Sequence, residues 1–250
     1  MRRSLIVTMT LCLAAGTVSA DTVSGTVELT YTGNFTDGTI KIWGGGLNGQ
    51  ACYGGFYEFT KGASTGDGDS IPNSPCWGPC IELTEHPDKN TAVLYNVVAL
   101  AGAPDPGTDV PGGEIGPEKA AYLRELTGRY FAFAAADGAK AEVFSACVWE
   151  IIYEDLPDLV TDWNVTTGYD STTKVGFHCT NVDTTTANSW LHSLDGTGTT
   201  HGLLAAVNDG KQDYMFPDAH IPPIPEPATL SLLALGGVGV LLARRRKAGG

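Results

Sequence analysis

Positive charge is what this chain has least of. Setting aside Arg2, Arg3 and the four cations at 244–247, the body from Asp21 to Pro225 carries 9 Lys and Arg against 27 Asp and Glu, a balance of −18. Such a surface repels nucleic-acid phosphates and anionic lipid headgroups, which argues against a nucleic-acid partner. It suits a solvated extracellular protein and leaves room for divalent cations. Paired metal-ligand spacing is also missing. The histidines (His86, His178, His192, His201 and His220) show no two-ligand pattern on one element, so no zinc site and no other cofactor is expected.

Several motifs lack the element that would make them chemical. Gly62-Ala63-Ser64-Thr65-Gly66 has the pattern of a nucleophile elbow, but Asp67-Gly68-Asp69-Ser70-Ile71-Pro72 cannot begin the helix such an elbow needs. Gly44 to Gly49 has the spacing of a dinucleotide loop and is followed by strand-like residues, so it reads as a Gly-rich turn. Asp67-Gly68-Asp69-Ser70 alternates hard oxygen ligands without the glutamate that completes an EF-hand loop, and reads as a solvated turn. Cys76-Trp77-Gly78-Pro79-Cys80 has three residues between its cysteines and no helix after it, unlike a redox dithiol. Once Cys12 is removed with the leader, five cysteines remain (Cys52, Cys76, Cys80, Cys147, Cys179), an odd count for an oxidising compartment. Glu82 and Glu85 flank a possible cleft, without enough pattern to assign a glycosidase.

What is present is glycine, threonine, asparagine and aspartate, which favour strands and turns. Thr22 to Thr32 alternates as a half-buried strand, and Thr39 to Trp43 repeats the pattern after an Asp37-Gly38 turn, predicting a hairpin. Further strands are predicted at Tyr53 to Thr60, Cys80 to Thr84, Ala92 to Leu100 and Val175 to Cys179. Ala120, Ala121, Leu123, Leu126 and Tyr130 space as one helical face after Pro117, with Gly128 fraying the end. Ala141 to Tyr153 predicts a second helix with a broad apolar stripe, stopped by Asp155 to Asp158. Ala187 to Leu194 and Gly202 to Val207 are read as short helices. The fold class expected is α+β, a β-rich sheet or barrel with an inserted helical pair.

Both ends read as targeting segments. Arg2-Arg3, the apolar run Leu5 to Ala15 and Val18-Ser19-Ala20 form a signal peptide, cut after Ala20 by signal peptidase. At the other end, Pro225-Glu226-Pro227 precedes the uncharged segment Ala228 to Ala243 and the cluster Arg244-Arg245-Arg246-Lys247. As a helix those residues reach only ~24 Å at ~1.5 Å per residue, a minimal transmembrane span. The cations assist as a cytoplasmic stop, leaving the body outside. The division expected is 1–20 signal peptide, 21–215 body, 216–227 linker, and 228–250 transmembrane helix with basic tail.

This tail resembles the PEP-CTERM sorting signal of Gram-negative bacteria. The resemblance implies an exported, inner-membrane-anchored precursor. An exosortase-type protease would cut it near Pro225-Glu226-Pro227, and the product would reach the cell surface or extracellular matrix, with exopolysaccharide as a possible partner.

A second resemblance lies in the body. Cys80-Ile81-Glu82-Leu83, Ala120 to Leu123, Ala146-Cys147-Val148-Trp149-Glu150-Ile151, Asn188 to Leu191 and Val207 to Tyr214 are similar to thioester domains of bacterial surface adhesins. In that family a cysteine and a glutamine form an internal thioester. The matching positions here are Cys80 and Ser145, and serine has no acyl carbon to give, so no functional thioester is expected. The resemblance leaves a disulfide open, from Cys80 to Cys76 or to Cys147, alongside a Cys147 that is merely buried. The function expected is structural or adhesive and not enzymatic. The alternatives are a carbohydrate- or calcium-dependent module using Trp43, Tyr53, Trp77 and the acidic loops, or a hydrolase.

Overall fold

The structure is a computed structural model and describes residues 23–107, 113–197 and 202–219. The strands among these are β1 (Gly25–Phe35), β2 (Ile40–Gly44), β3 (Leu47–Cys52), β4 (Phe56–Gly66), β5 (Cys76–Gly78), β6 (Ala92–Ala99), β7 (His178–Thr180), β8 (Leu203–Asn208) and β9 (Lys211–Pro217). The helices are α1 (Gly116–Ala134), α2 (Gly138–Tyr153) and α3 (Thr184–His192). One antiparallel sheet runs β5-β4-β1-β6-β8-β9, and a smaller one runs β3-β2-β7. The signal peptide, the Pro-Glu-Pro linker and the apolar tail lie outside the described residues. No helix among the described residues is long and apolar enough to cross a membrane.

The large sheet curls until its edges meet. Beyond β5, Met215 N donates to Pro79 O at 3.1 Å and Ile81 N to Asp213 O at 2.9 Å, so β9 is bonded to the chain leaving the opposite edge. Closing a sheet removes the exposed edges that invite aggregation. The alternating side chains of β1, β4, β6 and β9 then point into one lumen, which is aromatic. Tyr214 meets Phe59 at 4.6 Å and Tyr57 at 5.3 Å between ring centroids, and touches Tyr95 and Phe216 as well.

The opposite face of β4 packs against helices, where Phe56 stacks on Phe131 at 5.0 Å and meets Phe144 edge-on. Helix α2 is buried almost throughout, with every residue from Ala141 to Tyr153 below one-tenth exposed. A helix covered all round needs partners on every side. It finds them in α1, α3, β4 and the small sheet, whose Ile40, Ile42 and Cys179 belong to the same core. The expected helical pair is thus inserted between β6 and β7, with α3 added to it.

Three expectations are corrected. Thr22 to Thr32 and Thr39 to Trp43 do not pair with each other: β1 lies between β4 and β6, and β2 between β3 and β7. The reason is Glu142 of α2, whose Oε1 accepts Thr36 Oγ1 at 2.6 Å, Asp37 N at 3.0 Å and Gly38 N at 2.6 Å. That grip turns the chain away into the second sheet. Residues 80–84 are not a strand, because side chains and not a neighbouring strand take most of their backbone groups, as described below. Gly202 to Val207 is strand and not helix. Its short apolar run carries no period that separates the two, and the Asp209-Gly210 turn with Gly210 at φ 83° folds it onto β9.

Candidate functional site

The site is built on the segment Cys80–Glu85, which has no ladder of its own and is held by four other groups. Trp149 Nε1 of α2 donates to Cys80 O at 3.0 Å, and Leu83 N donates to the Tyr153 hydroxyl at 2.9 Å. From β9, Asp213 O accepts Ile81 N, and Gln212 Nε2 donates to Glu82 O at 3.0 Å. Trp149 and Tyr153 are four residues apart on one face of a buried helix, and so grip the segment at two points one turn apart.

Outside this segment lies a cleft of about 470 Å³. Glu82, Glu85, Asp209 and Asp213 line it together with Asn96 and Asn208, while Ile81, Pro104, Pro106 and Val207 form apolar wall. The lining contains four carboxylates and no Lys, Arg or His. Asp213 is 7% exposed, and its Oδ1 accepts Asn208 N at 2.8 Å. Burial, aided by Glu82 and Glu85 and opposed by the Asn208 N–H, pushes its carboxyl up to about 7. Glu82 is also raised, by burial first and Glu85 last, against the Thr84 hydroxyl that donates to it at 2.6 Å. Glu85 Oε2 is buried with no hydrogen-bond partner. The nearby cations are committed elsewhere: Lys211 to Asp88 at 2.6 Å, and Lys119 to Asp105 at 3.1 Å and Ile152 O at 2.6 Å. Among the described residues no three His, Cys, Asp or Glu side chains converge as a metal site.

Of the residues singled out in the sequence, Cys80 lies beneath this cleft. It is 1% exposed, and burial raises its thiol far above the ordinary range. Gln212 Oε1 accepts the Tyr214 hydroxyl at 3.2 Å. Ser145 is fully buried and donates to Gly55 O at 3.2 Å.

All five described cysteines are free thiols, so neither Cys76–Cys80 nor Cys80–Cys147 is linked in the structure. Cys147 is two residues from both Ser145 and Trp149, about 200° around the helix at 3.6 residues per turn. Its sulfur accordingly turns to α3, where it donates to Ala187 O at 3.5 Å. Cys76 donates instead to Phe59 O at 3.6 Å, and burial pushes its thiol up to about 11.

The strand expected to end at Thr60 runs on to Gly66 and takes in the first dismissed motif. Ser64 lies within β4, and of Gly44 to Gly49 only Gly45 and Gly46 make the β2–β3 turn, the rest belonging to the two strands. Asp67 and Asp69 spend their side chains on Ser24 N at 2.7 Å and Ser64 Oγ at 2.5 Å. The three aromatics proposed for sugar contact do not share a surface element. Trp43 stacks on His178 in the small sheet at 4.6 Å, Trp77 on Phe35 beside the large one at 5.4 Å, and Tyr53 stands 56% exposed on the β3–β4 connection. Sequence reasoning found Glu82 and Glu85 and missed Asp209 and Asp213. The available signal was an aspartate set between Gln212 and Tyr214 in a run that is otherwise strand-like and buried.

The model of the PEP-CTERM protein-sorting motif matches residues 223–247, and so covers the tail and none of the described body. The tail is therefore similar to an exosortase-directed sorting signal, as its three parts in order implied. No curated protein and no solved structure matches the chain.

The motif implies an exported, membrane-passing precursor processed by an exosortase. Pro225, Glu226, Pro227 and the cluster Arg244 to Lys247 lie within it and outside the described residues.

Proposed function

We propose that the exported body is a structural or adhesive protein of the cell surface or extracellular matrix, acting without catalysis and without a thioester. The observation that carries the exported half of this reading is the sorting motif at 223–247. The absence of covalent capture is supported by Cys80, whose buried thiol is held far from its ionised, nucleophilic form. A body with net charge −18 and a closed sheet suits a solvated, protease-exposed setting.

Intact mass of the protein recovered from the producing cell tests this. It should show loss of residues 1–20 and a second cut near Pro225-Glu226-Pro227. A mass lower by one ammonia, mapping to Cys80 and Gln212, overturns the thioester-free reading. Retention of the tail in the mature product overturns the processing.

A second reading, a hydrolase, is favoured by one observation: Glu82, Glu85 and Asp213 share a cleft, and Asp213 titrates where a general acid must. Release of reducing ends from the host's own matrix polysaccharide, abolished by Asp213→Asn, would establish it. The structural reading expects no release.

A further inference from the structure

Two triplets of the chain, Asn34-Phe35-Thr36 and Asn164-Val165-Thr166, have the pattern of an asparagine that accepts a glycan in an exported protein. The fold treats them differently. Asn34 lies inside β1, paired with Tyr57 of β4, and its Oδ1 accepts the Tyr31 hydroxyl at 2.9 Å. The Thr36 hydroxyl is engaged with Glu142 Oε1 at 2.6 Å and Gly38 O at 3.0 Å. This triplet is built into the sheet and the turn that follows it.

Asn164 lies instead on the loop between α2 and β7, two residues after a short exposed turn of 3-10 helix, Val160–Asp162. Its Oδ1 accepts Thr166 N at 3.1 Å, Thr166 Oγ1 at 2.7 Å and Asn188 Nδ2 at 2.9 Å. A backbone N–H can only donate, so the Thr166 bond fixes which end of the carboxamide is oxygen and which is nitrogen. Nδ2 makes no hydrogen bond among the described residues and is not among their buried, unpartnered atoms, so it meets solvent. Asp162 and Thr166 to Gly168 around it are exposed. A surface loop is where this motif is used.

We infer that Asn164 is a glycosylation site, its Nδ2 the acceptor for a sugar chain delivered from a polyisoprenoid pyrophosphate during export. The inference rests on the exported reading above and adds a covalent modification to it. In the transfer, Nδ2 attacks the anomeric carbon and an N–C bond forms. The bond from that carbon to the pyrophosphate oxygen breaks, the lipid pyrophosphate leaves, and one amide proton passes to a base of the transferase. Nothing is oxidised or reduced. The product keeps Oδ1 and with it all three of its hydrogen bonds, while the sugar replaces one N–H that faced water. Trp163 and Val165 on either side are buried, and Asn164 N is held by Glu150 Oε1 at 2.7 Å. An enzyme cannot draw the triplet into its own site once those contacts have formed. Transfer therefore belongs to the emerging chain, and the body folds beneath a sugar already in place.

The test is peptide mapping by mass spectrometry of the full chain recovered from the producing cell. Trypsin releases Asn164 in the fragment 141–174, and Asn34 in a fragment ending at Lys41. The first should carry sugar mass localised to Asn164 by electron-transfer fragmentation, and the second none. Asn164→Gln and Thr166→Ala should each abolish the modification, whereas Thr166→Ser and the neighbouring Thr167→Ala should retain it. Should Asn164→Gln fail to fold, the Thr166 pair carries the comparison. The inference is overturned by a fragment 141–174 found only unmodified, by sugar mapped to a Thr or Ser hydroxyl or to Asn34, or by sugar that survives Thr166→Ala. The same spectra read both ends of the chain. An unmodified 141–174 in correctly trimmed protein sinks the glycan and leaves the export reading standing, while an intact leader sinks both.

Discussion

Replacing Glu150 by glutamine should stabilise this protein at neutral and alkaline pH and do almost nothing in mild acid. Glu150 lies in the middle of α2 and is 1% exposed. Its Oε1 accepts Asn164 N at 2.7 Å, while its Oε2 is buried without a partner, and no cation among the described residues pairs with it. Burial, with Glu154 adding to it and the Asn164 N–H opposing, pushes the carboxyl from 4.5 up to about 8. The sign follows from proton linkage. Between those two values the folded protein holds a proton that the unfolded chain has released, so stability falls as pH rises and levels off above about 8. At about 1.36 kcal/mol for each tenfold change in the equilibrium, the loss between pH 5 and pH 8 amounts to about 3 to 4 kcal/mol. Glutamine keeps the acceptor for Asn164 N and removes the ionisation. Urea unfolding followed by tryptophan fluorescence at pH 5, 6, 7 and 8 should therefore give curves that coincide at pH 5 to within about 1 kcal/mol and separate by about 3 kcal/mol at pH 8, with the variant more stable. Parallel curves, or a variant weaker at every pH, would refute the reasoning and mean that the charged form is the one the fold accommodates.

Trp149→Phe deletes the indole N–H donor to Cys80 O and leaves that buried carbonyl unpaired. Urea midpoints should show a loss of about 1–3 kcal/mol. Glu142→Ala strips three donors of one acceptor at the β1–β2 turn, and exchange of the Asp37 and Gly38 amides should speed before global unfolding does. At Gly68 a Cβ would run into the Thr26 carbonyl, so Gly68→Ala should cost about 1–3 kcal/mol by thermal melting. A neutral thiol reagent should label the native protein at Cys52 first, since Cys80 and Cys147 are buried and their thiols pushed far up. Rapid labelling of Cys80 would contradict the closed floor of the cleft.

Local pattern carried much of this architecture. The alternation around Val27 and Leu29, the apolar stripe of α2 and the turn at Asp37-Gly38 were all readable, because each depends on neighbours within a few residues. What could not be read was partnership. Glu142 lies more than a hundred residues from the turn it governs, and no local signal says that the turn leads into a second sheet. Ile81 and Leu83 alternate like a strand, yet their segment is fixed by Trp149, Tyr153 and Gln212 from distant stretches. The run Leu203 to Val207 suits helix or strand equally, and only its hairpin partner decides. The cleft was half legible for the same reason: Glu82 and Glu85 lie three residues apart in sequence, while Asp213 joins them only once β9 closes the ring.

The hairpin of β8 and β9 also fixes an orientation. At one end, Asp218 N bonds to Gly202 O and Ala219 N to Ser70 O, pinning the chain where it departs. From Ala219 to Pro225 the leash can stretch no further than about 20 Å. An anchor engaged beyond Pro225 would hold that end of the barrel within about that distance of itself. The carboxylate-lined mouth lies at the other end of the hairpin, about 20 Å further along the strand, so whatever holds the departing chain leaves that mouth clear.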